Sequence, residues 1–289
     1  YRKVWLVNIM NKMKISVIIP TYKPQSYIWE CLDSLANQTF TKEQYEVILV
    51  LNGCNDPYRT QLKDHINQHK GVNWRFFHTM VGGVSNARNI ALNEAKGEYI
   101  TFIDDDDFVS QTYLQELYEK SSKDTVGVCY PLSFEDGTKD YRPYYITKDY
   151  EQYAIVGKVP FYKPRRFFAG PVYKLIHRDI IGARRFDVRF KNGEDSLFMF
   201  LISDRIKYVD FASKNAVYYR RERDNSASSN QTQMWFNAKN RLRLIKALTN
   251  IYKSSLRAYN FSFYRSMIMS SVKAIMYEIG RKFMGLSKV

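Results

Sequence analysis

Short apolar runs alternate with helical periods along the first half of the chain. Residues 15–19 (Ile-Ser-Val-Ile-Ile) read as a buried strand stopped by Pro20. Residues 47–51 (Val-Ile-Leu-Val-Leu) read as a second, ending in the turn Asn52-Gly53, and 72–77 and 99–103 as two more. Between them, residues 26–38 put Ile28, Cys31, Leu32 and Leu35 on one helical face, and 57–69 fit a second helix. A third runs over 85–95, with Ser85 as its cap and Gly97 beyond its end. This alternation predicts a parallel sheet with right-handed crossovers. A helix over 110–120 and a strand over 126–132 extend it.

From about residue 136 to 185 the period is lost among Tyr, Pro, Lys and Arg, which predicts loops and short elements. Gly193-Glu194-Asp195 precedes a helical run over 196–203, and 208–219 hold two strand-like pieces. Two helices follow. Residues 236–252 repeat apolar Ala238, Leu242, Ile245 and Leu248, and 261–279 repeat Tyr264, Ile268, Val272, Ile275 and Ile279.

Composition narrows the classes. The 289 residues are 45% hydrophobic and 16% aromatic, enough for one large α/β domain or two modest ones and too apolar for global disorder. Cys31, Cys54 and Cys129 are dispersed, which argues against a disulfide framework or zinc cluster and for a reducing compartment. No run of about 18 uncharged apolar residues predicts a membrane span. Val4-Trp5-Leu6-Val7 is too short for a signal peptide, so a cytoplasmic setting is expected. The net charge of +15 asks for an anionic partner. After Gln231 eleven basic residues stand against one acidic residue, Glu278. Basic amphipathic helices of this kind lie on anionic membrane surfaces, or pack as an ordinary helical pair on their domain.

The run over 99–103 delivers four consecutive aspartates, Asp104 to Asp107. Carboxylates at the end of a buried strand sit where open α/β sheets bind ligands, and an all-oxygen set suits Mg²⁺ or Mn²⁺. A solvated acidic turn before a helix at Ser110 is the plain alternative. Three further loops follow apolar strands: Pro20-Thr21-Tyr22, the turn from Asn52 to Asp56, and Gly82-Gly83 leading to Arg88. A parallel sheet brings all four to one edge. Together they offer an aromatic face, amides, a positive charge and carboxylates, which is what a nucleotide diphosphate needs.

The stretch from Ile15 to Tyr22, Ala87-Arg88-Asn89, the run from Gly97 to Asp107 and Gly193-Glu194-Asp195-Ser196-Leu197-Phe198 resemble, in order and spacing, the family 2 glycosyltransferases. The resemblance covers about residues 14–230. It implies an α/β fold of GT-A type, with a mostly parallel Rossmann-like sheet flanked by helices and a C-terminal basic helical extension. It divides the chain into an extension (1–13), a donor-binding region (14–135), an acceptor and catalytic-base region of the same domain (136–230) and basic amphipathic helices (231–289).

The implied activity is metal-dependent, inverting sugar transfer. A nucleotide-sugar, UDP-sugar by preference, would donate to a glycan or lipid-linked acceptor in bacterial capsule or cell-envelope polysaccharide synthesis, at the inner face of the cell membrane. Pro20 and Tyr22 fall where the family holds the base, and Asn52 where an aspartate usually reads its edge. Arg88 falls on the nucleotide side. Asp106 would bind Mn²⁺ or Mg²⁺, with Asp104 and Asp105 at the ribose or the metal's water shell. Asp195 matches the catalytic base, with Glu194 beside it. Arg223, Ser226 and Ser228 resemble a late loop that closes on the diphosphate.

Leu51-Asn52-Gly53-Cys54 departs from the family's usual Asp-Asp-Gly-Ser, which removes a charge from the base site. Three rival readings remain. A nucleotidyltransferase would carry glycine after the first strand, where this chain has Pro20-Thr21-Tyr22-Lys23-Pro24. The acidic quartet disfavours a nucleic-acid-binding protein, and no nucleic acid is expected as partner. The third is a catalytically inactive glycan-binding relative. His177 reads as a structural or surface histidine, with a metal role as the alternative. His65 and His69, four residues apart, lack the glutamate of a zinc hydrolase and show no ligand spacing with a carboxylate. The tyrosines over 141–153 suit either sugar stacking or loop packing.

Overall fold

The computed structural model describes residues 13–223 and 234–283. Its core is an eight-stranded sheet. The first four strands are β1 (Ile15–Thr21), β2 (Tyr45–Asn52), β3 (Asn73–Thr79) and β4 (Tyr99–Phe102). They lie in the order β3-β2-β1-β4, all parallel. Helices α1 (Tyr27–Ala36), α2 (Tyr58–Gln68) and α3 (Val84–Glu94) make the crossovers. The chain winds outward from β1 to β3 and then returns to the other side of β1. The carboxyl ends of β1 and β4 therefore flank the switch point where such sheets bind ligands.

Pro20 does not stop β1. The Ile18 carbonyl accepts from Ile103 N at 3.0 Å, so Ile18 faces β4, and so does Pro20 two residues on. The ladder with β4 ends opposite Ile18, so the missing N–H of Pro20 costs no sheet bond.

Beyond β4 the sheet becomes mixed. After β5 (Phe108–Val109) and α4 (Tyr113–Lys120), the apolar run over 126–132 is two strands, β6 (Thr125–Val128) and β7 (Tyr130–Glu135). They part at buried Cys129, whose N–H bonds Tyr173 O, and they belong to different sheets. The loose region contains β8 (Arg142–Pro143), α5 (Thr147–Tyr153), β9 (Val159–Pro160), β10 (Lys174–His177) and α6 (Arg178–Ile181). Strand β10 is no loop element: it lies between β4 and β6, antiparallel to both. After α7 (Glu194–Ile202), β11 (Tyr208–Phe211) pairs parallel with β6 and antiparallel with β9. Strand β12 (Val217–Glu222) centres a second sheet in the order β5-β12-β7-β8.

Two helix starts differ from the sequence pattern. Gly83 caps α3, and Ser85 lies buried inside the first turn. Ser110 precedes α4, and its hydroxyl ties the loop to Asn215 O at 2.6 Å and Val217 N at 2.8 Å.

Helices α8 (Met234–Ser254) and α9 (Phe261–Phe283) pack on the domain. Leu244, Leu248, Tyr259 and Phe263 are buried, with the Tyr259 ring stacked on Phe200 and Phe263 against Phe161 and Phe168. The inward face of α8 thus runs through Leu244 and Leu248, while Leu242 is exposed.

Candidate active site

Strand β4 runs to Phe102, buried Ile103 still donates to Ile18 O of β1, and the four aspartates then leave the sheet as a loop. They are not equivalent. Asp107 is buried and accepts from the Tyr218 hydroxyl at 2.7 Å and Arg221 N at 2.8 Å, which pins the loop to β12. Burial pushes its carboxyl well up, and Asp106 and Asp104 add to the shift. Asp105 accepts from the Thr21 hydroxyl at 2.5 Å. Burial drives its pKa up to about 7, against that hydrogen bond, with repulsion from Asp106 and Asp104 contributing. Asp106 Oδ2 accepts from Arg223, and Asp104 Oδ1 accepts from Arg88 at 2.9 Å.

Asp195 reaches the same place from the other side. Gly193 precedes α7 with φ +86°, a left-handed conformation that side chains resist, and a Cβ there would meet Leu244 at 2.8 Å. That turn starts α7 at Glu194 and Asp195, where the helix's free N–H groups favour negative charge. Arg88, 3% exposed, donates from Nη1 to Asp195 Oδ1 at 2.5 Å and from Nη2 to Asp104. Burial raises the Asp195 pKa, while Arg88 lowers it, Asp104 raises it and Lys174 lowers it. Glu194 is more enclosed: Oε2 is buried without a partner, and burial followed by repulsion from Asp195 pushes its carboxyl up to about 7.

The loops after β1, β2 and β3 complete the cleft. Pro20 and Tyr22 line it, and the Tyr22 ring is half exposed and free to stack. Gly53, at φ +67°, lets these loops meet: its Cβ would lie 3.0 Å from Gly82 Cα and 3.2 Å from the Tyr22 ring. Asn52 lines the cleft and also has a structural task. It is buried, donates to Thr21 O at 2.7 Å and accepts from Gly83 N at 2.9 Å, so it straps the β1 loop to the start of α3.

Strand β12 brings the arginines. Arg223 donates to Asp106 and, at 3.1 Å, to the Tyr27 hydroxyl, with its guanidinium over that ring. Ser226 and Ser228 lie outside the described residues. Pro20, Tyr22, Asn52, Arg88, the aspartates, Glu194, Asp195 and Arg223 all border one cavity of about 820 Å³.

Sequence reasoning missed two residues here. Arg221 bonds Asp106 O at 2.8 Å and Asp136 at 2.7 Å, and also reaches Glu30, so it fixes the shape of the acidic loop. Lys174 is fully buried in β10 and donates to the carbonyls of Gly170 and Val172 at 2.6 Å. Desolvation lowers its pKa to about 7, opposed by Cys129 and Asp195. No sequence pattern marks either residue. Two further readings gain structural context. His177 Nδ1 accepts from Asp179 N and caps α6, a structural task. In the tyrosine-rich loop, Tyr141 packs on Phe108, Phe134 and Tyr219, and Tyr150 bonds Ala212 O.

As a donor set for Mg²⁺ or Mn²⁺ the aspartates fit in chemistry. They are hard oxygens whose crowding and burial raise three of the four pKa values, a cost that a cation offsets. Their carboxylates do not converge as a group of three. An ion would take one or two of them, Asp106 and Asp104 being the pair on the cleft that guanidinium groups already neutralise.

The model of glycosyl transferase family 2 matches residues 16–186, and the chain belongs to that family. Glycosyltransferase GlyA of Streptococcus pneumoniae is 28% identical over 78% of this chain and 33% of its own length. The minor teichoic acid biosynthesis protein GgaB of Bacillus subtilis is 29% identical over 77% of this chain and 25% of its own. The chain thus spans a third or less of these two relatives. The crystal structure of S. aureus TarS 1-349 in complex with UDP-GlcNAc superposes with a TM-score of 0.69 at 23% identity, over 90% of this chain and 72% of that one. The fold is the GT-A fold that the motifs imply.

Proposed function

We propose that this domain is an inverting glycosyltransferase. It moves a sugar from a nucleotide diphosphate, a UDP-sugar by preference, to a hydroxyl of a glycan or lipid-linked acceptor in bacterial cell-envelope polysaccharide. The observation that carries the reading is that Arg88 joins Asp104 of the acidic loop and Asp195 of α7 within one cavity. A donor-side carboxylate cluster and an acceptor-side base candidate then face one reacting centre. The relatives' printed roles in teichoic acid synthesis and the UDP-GlcNAc held by TarS support the substrate class.

In this reading Asp195 takes the acceptor's proton as its oxygen bonds the anomeric carbon, and the bond from that carbon to the diphosphate breaks on the opposite face. Burial raises the Asp195 pKa toward the range a general base needs, while Arg88 keeps the carboxylate ionised and aimed. Arg223 answers charge on the leaving diphosphate. A divalent ion held by Asp106 and Asp104 supplies further charge neutralisation there. Tyr22 stacks on the base. Differential scanning fluorimetry with UDP, with and without Mn²⁺, tests the donor assignment: stabilisation that needs the metal is expected, and no shift with any nucleoside diphosphate would contradict it.

A peripheral position on an anionic membrane is the second part of the proposal. Among the described residues no helix is long and apolar enough to cross a membrane. Helix α9, however, exposes Met269, Val272, Met276 and Ile279 at helical spacing, on a tail with eleven basic residues. Cosedimentation with phosphatidylglycerol vesicles, but not with phosphatidylcholine vesicles, is the expected result. Equal recovery with both would remove the membrane from the account.

A further inference from the structure

On the far side of the β1 and β2 loops, α1 and α2 bring three side chains to one point. His65 lies on α2 and His69 just past its end, one turn on, and Asp33 reaches them from α1. His65 Nε2 is 2.8 Å and His69 Nε2 2.9 Å from the same oxygen, Asp33 Oδ1, and the two Nε2 atoms are 3.3 Å apart. Among the described residues this is the one convergence of three such ligand atoms. Sequence spacing alone pairs the histidines with no carboxylate, because Asp33 comes from another helix.

Protons satisfy at most two sides of this triangle. A carboxylate oxygen only accepts, so both imidazoles should present N–H to it. Both N–H groups then converge on Oδ1, which leaves the two Nε2 atoms side by side at 3.3 Å with no hydrogen bond between them. If one Nε2 gives up its proton, its lone pair faces the carboxylate instead. In every arrangement with Asp33 ionised, at least one of the three contacts is not a hydrogen bond.

A cation removes the conflict, since all three atoms then present lone pairs to it. The measured sides place the donors on a circle of radius about 1.75 Å. A point at the usual zinc–ligand distance of about 2.0–2.1 Å from each therefore exists roughly 1 Å off their plane. The 3.3 Å between the nitrogens is also about the edge of a zinc tetrahedron. The rings are held: Trp29 packs on His65 with centroids 4.7 Å apart, and the His69 carbonyl accepts from the Trp74 indole at 3.3 Å. A surface cavity of about 510 Å³ bordered by Trp29 and His65 gives a hydrated ion access.

We propose that Asp33, His65 and His69 bind one divalent transition-metal ion of the zinc class, with water in the remaining positions. The ion staples α1 to α2, the helices that follow the loops carrying Tyr22 and Asn52. It shares no residue with the acidic loop and does not depend on the transferase reading.

The test is equilibrium dialysis of the untagged, chelator-stripped chain against Zn²⁺, with bound metal counted by mass spectrometry. One zinc per chain is expected. The double variant His65→Ala/His69→Ala should bind at least tenfold more weakly, and Asp106→Asn should bind as the parent does. Circular dichroism checks that the double variant folds. The milder His69→Gln and Asp33→Asn variants should each weaken binding and shrink the zinc-induced rise in Tm, and Co²⁺ should give a visible absorption band that both diminish. No zinc retained by the parent chain, equal retention by the double variant, or loss through Asp106→Asn instead would overturn the proposal.

Discussion

Arg88 Nη1 lies 2.5 Å from Asp195 Oδ1 while Nη2 of the same guanidinium lies 2.9 Å from Asp104 Oδ1. One planar group on α3 thus spaces a carboxylate of α7 from a carboxylate of the acidic loop. The spacing of the two carboxylates depends on it, because neither has another side-chain cation within ion-pair distance among the described residues.

Arg88→Ala should cost stability as well as activity. Removing the buried partner of an ion pair costs about 3–5 kcal/mol, and the part-exposed Asp104 and Asp195 reduce this to about 2–3 kcal/mol. Arg88→Lys keeps the charge but cannot bridge both carboxylates in one plane, so it should lose most of kcat while regaining much of the stability. Urea unfolding beside initial rates separates the two effects.

Glu194→Gln should stabilise the protein more at pH 8 than at pH 5. The folded carboxyl is pushed up to about 7, mainly by burial, above its unfolded value near 4.5. The folded state then binds more protons than the unfolded one between those values, so parent stability falls as pH rises through that window. Glutamine does not titrate. The gain from the substitution should grow by about 2–3 kcal/mol between pH 5 and pH 8, and denaturation at several pH values reads it. A constant difference would place Glu194 in a more solvated setting.

The alternation of strand and helix up to β4 was legible because β1, β2 and β4 are mostly apolar runs buried along their length, with β3 a half-buried edge strand. The same logic located the aspartates and Glu194-Asp195 as loop and helix starts. It failed where tertiary contacts replace pattern. Strand β10 hides because Lys174 and His177 are polar, their groups being met by the Gly170 and Val172 carbonyls and by Asp179 N. The break at Cys129 is invisible because both halves of the run are apolar, and only pairing with different sheets divides them. Asn52 looked like a base reader by position, and its strapping role needs the coordinates of Thr21 and Gly83.

Arg223→Ala should separate metal binding from turnover. Arg223 donates to Asp106, so any ion there shares that carboxylate with a guanidinium. Without the arginine, Mn²⁺ should bind the nucleotide-free protein more tightly, as read by electron paramagnetic resonance. Transfer should nevertheless slow by about 10²–10³-fold, as for loss of a charge-stabilising donor. Weaker Mn²⁺ binding would mean that Arg223 orders the loop rather than competing for it.

Gly53→Ala should weaken UDP binding without touching a charged group. The new methyl meets Gly82 Cα at 3.0 Å and the Tyr22 ring at 3.2 Å, on a backbone at φ +67°. Conformational strain of about 1–2 kcal/mol is expected, with the ring displaced from the cleft. Calorimetry with UDP should show a higher Kd, and Tyr22→Ala should show a similar loss.

In the proposed reaction Asp195 removes the acceptor's proton while the acidic loop holds the donor. Comparing Asp195→Asn with the parent chain in two assays tests it: UDP affinity with Mn²⁺ by calorimetry, and sugar transfer from UDP-sugars to a cell-envelope glycan acceptor. The account predicts UDP affinity within a few-fold of the parent and transfer reduced by at least about 10²–10⁴-fold, the usual worth of a general base. Transfer that survives the substitution, with UDP binding intact, would contradict it.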